Sequence, residues 1–413
     1  MTSVERIAIV AGARTPVGSF GKAFRETPAH ELGAAAVREA LSRSGVSGDE
    51  VDEVVMGNVG QVGHDAYNAR RVALAAGMST SVPALTVNRL CGSGLQAVWS
   101  GAQQLLWGGV DVVVAGGDEN MTRLPFYDYD ARFNDRLGDR TLVDGLVRLL
   151  TDPFTGVHMG ETAENVAERY GISREEQDRF ALESQRRAAA PEARAVFAEE
   201  IVPVETAGRR PVRVEADEHP RAETTLEGLA ELRPVFRQGG TVTAGNASGI
   251  NDGAAAMVLM RESDVRDRGL TALATLEAVT TAGIEPEIMG YAPRIALERL
   301  FAQTGLSPAD IGTAEMNEAF AAQALAVIRD AGLDPERTNP YGGAIALGHP
   351  VGATGAILTL RVAMDLQRRE LEHGVVSMCI GGGRRWPHCS VDGRIDASAV
   401  KGRGETRHRR ARS

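Results

Sequence analysis

The feature that most constrains the fold of this chain is an internal repeat. The segment GVSGDEVDEVVM at residues 45–56 is matched by GLSPADIGTAEM at residues 305–316, at a constant offset of 260. Each copy follows an amphipathic helical pattern, ELGAAAVREALSRSG in the first and RIALERLFAQTG in the second. The repeat predicts two similar halves. Packing of two such halves brings equivalent loops together, and clefts at junctions of this kind commonly hold functional sites.

Short apolar runs alternate with helical patterns along both halves. The clearest runs are RIAIVAG, VDEVVMGNV, VDVVVAGG and VVSMCIGGG. Such alternation is typical of α/β layers, in which helices cover a largely buried sheet. We therefore predict an α/β fold of two similar halves with mixed sheets.

The material between the halves has no counterpart in the repeat. It is charged and rich in helical patterns, and its clearest helix, ISREEQDRFALESQRRAAA, has Ser173 and Glu176 placed as a capping box. We expect an inserted domain that covers the cleft and contacts substrate. The predicted boundaries are an N-terminal half at 1–121 plus 251–271, an insertion at 122–250, a C-terminal half at 272–383 and a tail at 384–413.

Composition excludes several classes of protein. A net charge of −10 argues against a nucleic-acid binder, and no apolar run approaches the ~18 residues that a membrane helix needs. An apolar strand begins almost at Met1, which leaves no room for a signal peptide. Three cysteines fit no disulfide framework and suggest a reducing compartment. We expect a cytoplasmic protein that binds neither nucleic acid nor membrane.

Two turns contain residues suited to nucleophilic chemistry. In VNRLCGSG, Cys91 stands between an apolar strand and a helix, whose positive end favours a thiolate. In YGGAIALGHPVGATGAIL, His349 precedes another helix and could accept the thiol proton. On local grounds a buried cysteine and a capping histidine are the commoner roles. The repeat strengthens the chemical interpretation, because it places the two turns opposite each other.

Two further motifs are ambiguous when taken alone. Asn317, in EMNEAFAAQAL, is either a helix cap or an amide that holds a water or orients the histidine. Cys379, in SMCIGGG, is either a core residue or a second thiol at the same sheet edge, with Gly381 able to offer an N–H to an oxyanion. Two cysteines and a histidine could also suggest zinc, but the chain has neither CxxC nor HxxxH spacing. We predict no metal site.

Together these motifs resemble the thiolase family of acetyl-CoA acetyltransferases and 3-ketoacyl-CoA thiolases. The resemblance covers about residues 5 to 383. It is carried by RTPVGSFGKAF, VNRLCGSGLQAV, TAGNASGINDGAAA, MNEAFAAQALAV, YGGAIALGHPVGATGA and CIGGG. It implies a thiolase-like fold with an inserted loop domain, a dimer or tetramer, coenzyme A thioesters as substrates, and no separate cofactor.

The resemblance also implies a role for each residue. Cys91 matches the cysteine that is acylated, His349 the base that activates it, and Asn317 the amide that positions a water. Cys379 matches the second acid/base, which moves the α-proton, and Gly381 contributes to an oxyanion hole. The implied contacts to the acyl-CoA are Leu150, His158, Met159, Arg221, Phe236, Ala244, Ser248 and Phe320.

These residue types suit a Claisen condensation of two acetyl-CoA molecules, or its reversal by thiolysis. A nucleophile holds one acyl group, which divides the reaction into two half-reactions, and a second base removes a weakly acidic α-proton. GVHMGETAENVA resembles the short-chain type, whereas GGDENMTRLPF departs from it. The alternatives are a degradative thiolase for longer 3-ketoacyl-CoA, a non-catalytic acyl-CoA or lipid carrier, and a ketoacyl synthase.

The tail at 384–413 departs from the family. It contains eight arginines and one lysine against three acidic residues, and it begins abruptly after Gly383. We interpret it as an altered C-terminus; the alternatives are a disordered basic tail or a surface strand. On this interpretation the strand that closes the second half of the sheet is missing, and an unpaired sheet edge lowers stability.

Overall fold

A computed structural model describes residues 5–133, 137 and 139–382, together with the backbone of 390–396. The strands are β1 (Ile7–Arg14), β2 (Gly18–Ser19), β3 (Glu53–Gly57), β4 (Ala84–Val87), β5 (Val112–Asn120), β6 (Phe126–Tyr127), β7 (Val143–Asp144), β8 (Val204–Glu205), β9 (Arg213–Val214), β10 (Asn251–Arg261), β11 (Ala274–Ala282), β12 (Thr313–Met316), β13 (His373–Ser377) and β14 (Ser390–Asp396).

Helices separate most of these strands. They are α1 (Ala29–Ser44), α2 (Asn68–Ala75), α3 (Ser93–Trp107), α4 (Gly145–Leu149), α5 (Met159–Tyr170), α6 (Arg174–Ala189), α7 (Pro191–Glu200), α8 (Leu226–Ala230), α9 (Glu262–Asp267), α10 (Ala292–Thr304), α11 (Ala321–Ala331), α12 (Ala344–Leu347) and α13 (Thr354–Arg368). Within the described ranges, no helix is long and apolar enough to cross a membrane.

The main sheet is mixed and consists of two half-sheets joined at one seam. In the described part of the chain its order is β12-β13-β14-β11-β1-β10-β5-β3-β4, with β2 attached to β10. The seam between β1 and β11 pairs only Ile7–Ile9 with Ala274–Leu276. Strands β3, β4 and β5 are parallel in one half-sheet, and β12 and β13 are parallel in the other. The predicted α/β fold of two similar halves is confirmed.

The sequence repeat is visible in the structure. Helices α1 and α10 both end at a glycine in the left-handed region, Gly45 with φ 71° and Gly305 with φ 74°. A single 3-10 turn follows each glycine, at Gly48–Glu50 and Pro308–Asp310, and leads into β3 and β12 respectively. Glycine at such a C-cap avoids the steric cost that a Cβ atom imposes.

Helices α3 and α13 cross closely near their N-termini. A Cβ atom at Gly94 would lie 2.6 Å from the Ala356 nitrogen, and one at Gly355 would lie 2.4 Å from the Leu95 nitrogen. Glycines at both positions therefore let the two backbones approach each other. The crossing places the turn before α3, which contains Cys91, beside the turn before α13, which contains His349.

A buried ion network ties the insertion to both halves. Glu200, the last residue of α7, accepts hydrogen bonds from Arg14 Nε at 2.6 Å and from Arg361 Nε at 3.0 Å. Arg14 also donates to Asp217 Oδ1 at 2.7 Å, and both arginines lie over the Phe197 ring. The two guanidinium groups hold the pKa of Glu200 at about 2 despite its burial, so the carboxylate stays ionised.

The expectation that the closing strand is missing is wrong. Strand β14 lies within the segment predicted to be an atypical tail, and its backbone pairs antiparallel with both β11 and β13. Strand pairing uses backbone groups, so a polar sequence such as SVDGRID can supply it. The remaining residues of the predicted tail, 384–389 and 397–413, lie outside the described residues.

Candidate active site

Cys91 lies in the turn between β4 and α3. The residue before it, Leu90, has a positive φ of 46°, which is uncommon for a side chain of this kind. Hydrogen bonds fix that conformation: the Leu90 N–H donates to Asn88 Oδ1 at 3.0 Å, and its carbonyl accepts from the Ser93 N–H at 2.9 Å. The turn thus holds Cys91 at the start of the helix, where the side chain is part-buried.

The Cys91 thiol is neutral in the resting protein. Burial raises its pKa to about 11, although hydrogen bonds from the backbone of Gly381 and of Cys91 itself oppose the shift. The negative charge of Glu119 adds to the rise. The net shift is opposite to the one expected from the helix N-terminus, because loss of hydration outweighs the amide hydrogen bonds. The thiol therefore needs a base to react.

His349 is a suitable base, since its surroundings fix one tautomer. The Thr354 hydroxyl donates its hydrogen to the Pro350 carbonyl at 2.9 Å, so it accepts from His349 Nδ1 at 2.7 Å. That assignment leaves Nε2 without a proton, 3.5 Å from Asn317 Nδ2. Burial lowers the pKa of His349 to about 4, and the imidazole is neutral at pH 7.

The backbone around His349 is equally well fixed. Gly348 has φ 97° and ψ 167°, a conformation open essentially to glycine alone. The His349 N–H donates to Asn251 Oδ1 at 2.9 Å, and Asn251 in turn donates to the Gly18 carbonyl at 3.0 Å. Asn251 was not among the predicted site residues, although its position in GINDGA, at the start of a buried strand, offered a signal.

Asn317 follows β12 and is buried. Its backbone N–H donates to the Ser377 carbonyl at 2.8 Å, and Gln323 donates to its carbonyl at 3.2 Å. Among the described residues its side-chain oxygen Oδ1 receives no hydrogen bond. An amide in this state has free accepting capacity toward a bound molecule, and its nitrogen faces the imidazole.

Cys379 lies two residues beyond β13 and is buried in an apolar cluster with Met289, Ala319 and Phe320. Burial, reinforced by the neighbouring Cys91 sulfur, raises the pKa of Cys379 well above its usual range. Gly381, two residues later, directs its N–H toward the Cys91 sulfur. The structure therefore brings both thiols and the Gly381 amide together.

The predicted acyl-CoA contacts fall into two groups. The larger group adjoins the thiols: Met159 approaches Gly381, and His158 stacks on Phe236 with ring centroids 4.8 Å apart. Phe236 meets the edge of Phe320 at 6.2 Å. Leu150 and Ser248 also belong to this group. The Leu150 carbonyl accepts a hydrogen bond from the Met159 N–H at 2.8 Å, and the Ser248 N–H donates to the Ala319 carbonyl at 3.0 Å.

Arg221 and Ala244 form the smaller group. Both line a cleft of about 230 Å³ on the insertion, whose wall also includes Gln185, His219 and Ile345. The Arg221 backbone N–H donates a hydrogen bond to Gln185 Oε1 at 2.8 Å. His219 was not predicted; burial, with the charge of Arg221, lowers its pKa to about 4. Within the described part of the chain, the residues that line this cleft do not include Cys91 or Cys379.

Comparison with known proteins identifies the family. Residues 7–263 match the model of the thiolase N-terminal domain, and residues 270–388 match that of the C-terminal domain. The chain belongs to the thiolase family. Relatives of this thiolase include the beta-ketothiolase BktB of Cupriavidus necator, 49% identical over 92% of the chain and 97% of that protein. An acetyl-CoA acetyltransferase of the same organism is 46% identical over 91% and 97%.

Solved structures agree with the sequence relatives. The acetyl-CoA acetyltransferase of Bacillus anthracis superposes on this thiolase with a TM-score of 0.92 at 42% identity, covering 96% of the chain and all of its counterpart. Human mitochondrial 3-ketoacyl-CoA thiolase in complex with CoA gives a TM-score of 0.90 at 42% identity, covering 95% and 98%. The thiolase-like fold and the assignment as a thiolase-type acyltransferase are confirmed.

Proposed function

We propose that Cys91 carries the acyl group and that His349 moves its proton. Imidazole Nε2 takes the thiol proton as the Cys91 sulfur attacks the carbonyl carbon of an acyl-CoA. The bond from that carbon to the CoA sulfur then breaks, and His349 returns the proton to the departing thiolate. A neutral thiol beside a neutral imidazole is the correct starting state for this exchange, and both pKa shifts favour it.

In the second half-reaction Cys379 acts as the base. The neutral Cys379 thiol first gives its proton to the imidazole of His349. The Cys379 thiolate then removes the α-proton of a second acyl-CoA, and the resulting carbanion attacks the acyl carbon on Cys91. The Cys91–acyl bond breaks, the departing Cys91 thiolate takes the proton back from His349, and the 3-ketoacyl-CoA is released. Because the α-proton is only weakly acidic, a thiolate whose thiol has a raised pKa is the better matched base. The Gly381 amide supports the developing oxyanion, and Asn317 orients a water for the same purpose.

The convergence of two thiols and the Gly381 amide is the observation that carries this proposal. The substrate we infer is acetyl-CoA in condensation and acetoacetyl-CoA in thiolysis, with coenzyme A as the second substrate. The His158–Phe236–Phe320 ring cluster suits a narrow pantetheine channel, and Arg221 offers a cation to the nucleotide end. The chemistry requires neither a metal nor a redox cofactor, because thiol and imidazole groups supply every proton transfer.

An assay of acetoacetyl-CoA thiolysis tests the proposal. Wild-type protein should cleave the substrate when CoA is added, whereas Cys91→Ala should lose at least 10³-fold in kcat, on the order of a lost nucleophile. Cleavage by Cys91→Ala at more than a tenth of the wild-type rate would remove Cys91 from the nucleophile role. Repeating the assay with longer 3-ketoacyl-CoA substrates determines the preferred chain length.

We also propose that the protein is a cytoplasmic homo-oligomer. Strand β4 ends the main sheet and pairs only with β3 among the described strands, and its Leu85 side chain is 40% exposed. An exposed edge strand of this kind is a natural pairing surface for a second copy. Aromatic side chains on the insertion, such as Phe126 at 61% exposure, provide a second surface for a tetramer. The cytoplasm suits an enzyme that depends on two free thiols.

A further inference from the structure

A buried glutamate beside the candidate active site has no place in the mechanism above. Glu119, near the end of β5, accepts three backbone hydrogen bonds, each at 3.0 Å. The Val59 and Gly352 N–H groups donate to its Oε2 atom, and the Gly60 N–H donates to Oε1. We call this arrangement the Glu119 clamp. It joins a loop of the N-terminal half to a loop of the C-terminal half.

The first arm of the clamp leads to the nucleophile turn. The Val59 carbonyl accepts a hydrogen bond from Asn88 Nδ2 at 3.4 Å. Asn88 Oδ1 in turn accepts from the Leu90 N–H at 3.0 Å, which holds the left-handed residue directly before Cys91. A displacement of the Val59 loop is therefore transmitted to the Cys91 backbone through two hydrogen bonds.

The second arm leads to the base turn. Gly352 is three residues beyond His349, and it packs too closely for any side chain. A Cβ atom at Gly352 would lie 2.6 Å from Glu119 Oε2, and one at Gly117 would lie 2.2 Å from the Gly352 carbonyl oxygen. Position 352 is thus pressed against the end of β5, and the Glu119 carboxylate fixes its amide there.

We propose that Glu119 is a positioning residue that sets the spacing between the Cys91 turn and the His349 turn. The inference rests on the proposed roles of Cys91 and His349. Glu119 acts through three amides, and its contribution is alignment of thiol and imidazole. Proton transfer is sensitive to such alignment, and a misplacement of about 1 Å can cost on the order of 100-fold in rate.

The clamp requires a carboxylate of this length. A glutamine has one accepting oxygen, and its amide nitrogen would meet a backbone N–H at the other position, so at least one amide would lose its partner. An aspartate keeps the charge but is one methylene shorter, and it cannot reach both loops in the same geometry. Both variants keep the side chain polar; glutamine has nearly the same size as the original, and aspartate is smaller.

Kinetics of Glu119→Gln and Glu119→Asp test the proposal. Assays at pH 8.5 favour the ionised clamp, because burial raises the pKa of Glu119 to about 8 while the amide hydrogen bonds oppose the rise. We expect Glu119→Gln to lower kcat by roughly 10- to 100-fold with KM within about threefold, and Glu119→Asp to be intermediate. Alkylation of Cys91 by iodoacetamide should slow in parallel, since the thiol loses alignment with its base.

Asp118→Asn provides the matched control. Asp118 is the adjacent buried acid, but it lies on the opposite face of β5 and accepts from Asn58 and Asn68 at 3.0 and 2.7 Å. Asparagine keeps that accepting oxygen, so kcat and the alkylation rate should stay within about threefold of wild type.

Three outcomes would overturn the clamp. The first is a Glu119→Gln kcat within threefold of wild type, and the second is an equal loss of kcat in Asp118→Asn. The third applies if Glu119→Gln fails to fold: Glu119→Asp then decides, and a wild-type kcat in that variant contradicts the proposal. The Cys91→Ala assay separates the clamp hypothesis from the proposed function. If Cys91→Ala remains active, Cys91 is not the nucleophile, whatever the Glu119 variants show.

Discussion

At the scale of single residues, the reacting groups are tuned in opposite directions by the same cause. Burial raises the pKa of Cys91 to about 11 and lowers the pKa of His349 to about 4. Each group is therefore neutral over the whole physiological range. In the proposed mechanism, both groups rest in their neutral forms and charge separates only when substrate arrives. This arrangement protects Cys91 from unselective alkylation and oxidation, because the thiolate is the reactive form.

The pH dependence of kcat/KM follows from the His349 shift. A histidine whose pKa is lowered takes up a proton only as the pH falls toward about 4, well below the ordinary value of 6.5. We expect the limb of kcat/KM for thiolysis that belongs to His349 to lie below about pH 5, separate from the decrease near pH 8 that protonation of Glu119 causes. As a control, circular dichroism over the same pH range should show that the protein remains folded. A midpoint near 6.5 would show that the imidazole is not shielded in the free enzyme.

At the scale of structural elements, much of the architecture was predictable. The repeat at residues 45–56 and 305–316 indicated two halves because it preserves a helix cap, a turn and a buried strand in the same order. The Ser173 capping box was also predictable, and the structure contains it. Such features are local, since they depend on residues within a few positions of each other.

The missed features depend on contacts between distant segments. Glu119 resembled an ordinary polar residue at the end of a strand, and only the fold brings the Val59 and Gly352 amides to it. The pairing of strand β14 was missed because the sequence departs abruptly from the family pattern after Gly383, and this break was interpreted as loss of the closing strand. Its sequence nevertheless alternates polar residues with Val391, Gly393 and Ile395, a period of two that is typical of a strand.

Glu200, at the end of helix α7, attaches the insertion to both halves, and its contribution to the free energy of unfolding can be measured. We expect Glu200→Ala to lower the free energy of unfolding by about 3–5 kcal/mol, because it leaves Arg14 and Arg361 buried without their shared carboxylate. Thermal and denaturant unfolding measure the change. Glu199→Ala is the control: Glu199 is 58% exposed and pairs with Arg368 at the surface, so its loss should cost less than about 1 kcal/mol. Equal losses in the two variants would refute a structural role for the buried network.

At the scale of the whole molecule, the two half-sheets place the site and the pairing edge at different locations. The reactive turns meet where α3 and α13 cross, whereas β4 lies at the outer end of the N-terminal half-sheet. The proposed association through β4 would therefore extend the sheet without disturbing the crossing. The turn that contains Cys91 follows β4 directly, so such pairing would also stabilise the segment that leads to Cys91.

Leu85→Lys tests the proposed pairing edge. A charged side chain on an edge strand discourages pairing with another strand. We expect the variant to shift toward a smaller species in light scattering coupled to size-exclusion chromatography. Val212→Lys adds the same charge at a 60% exposed position on the insertion and should leave the oligomer unchanged. An unchanged mass for Leu85→Lys would place the interface elsewhere.

The central claim is that Cys91 and Cys379 serve different half-reactions, and mass spectrometry of the protein after incubation with acetyl-CoA tests it most directly. Wild type and Cys379→Ala should both gain one acetyl group, which peptide mapping places on Cys91, whereas Cys91→Ala should gain none. The Cys379→Ala protein should then fail to form acetoacetyl-CoA from its acetylated state. Acetylation of Cys91→Ala at another residue, or normal condensation by Cys379→Ala, would contradict the account.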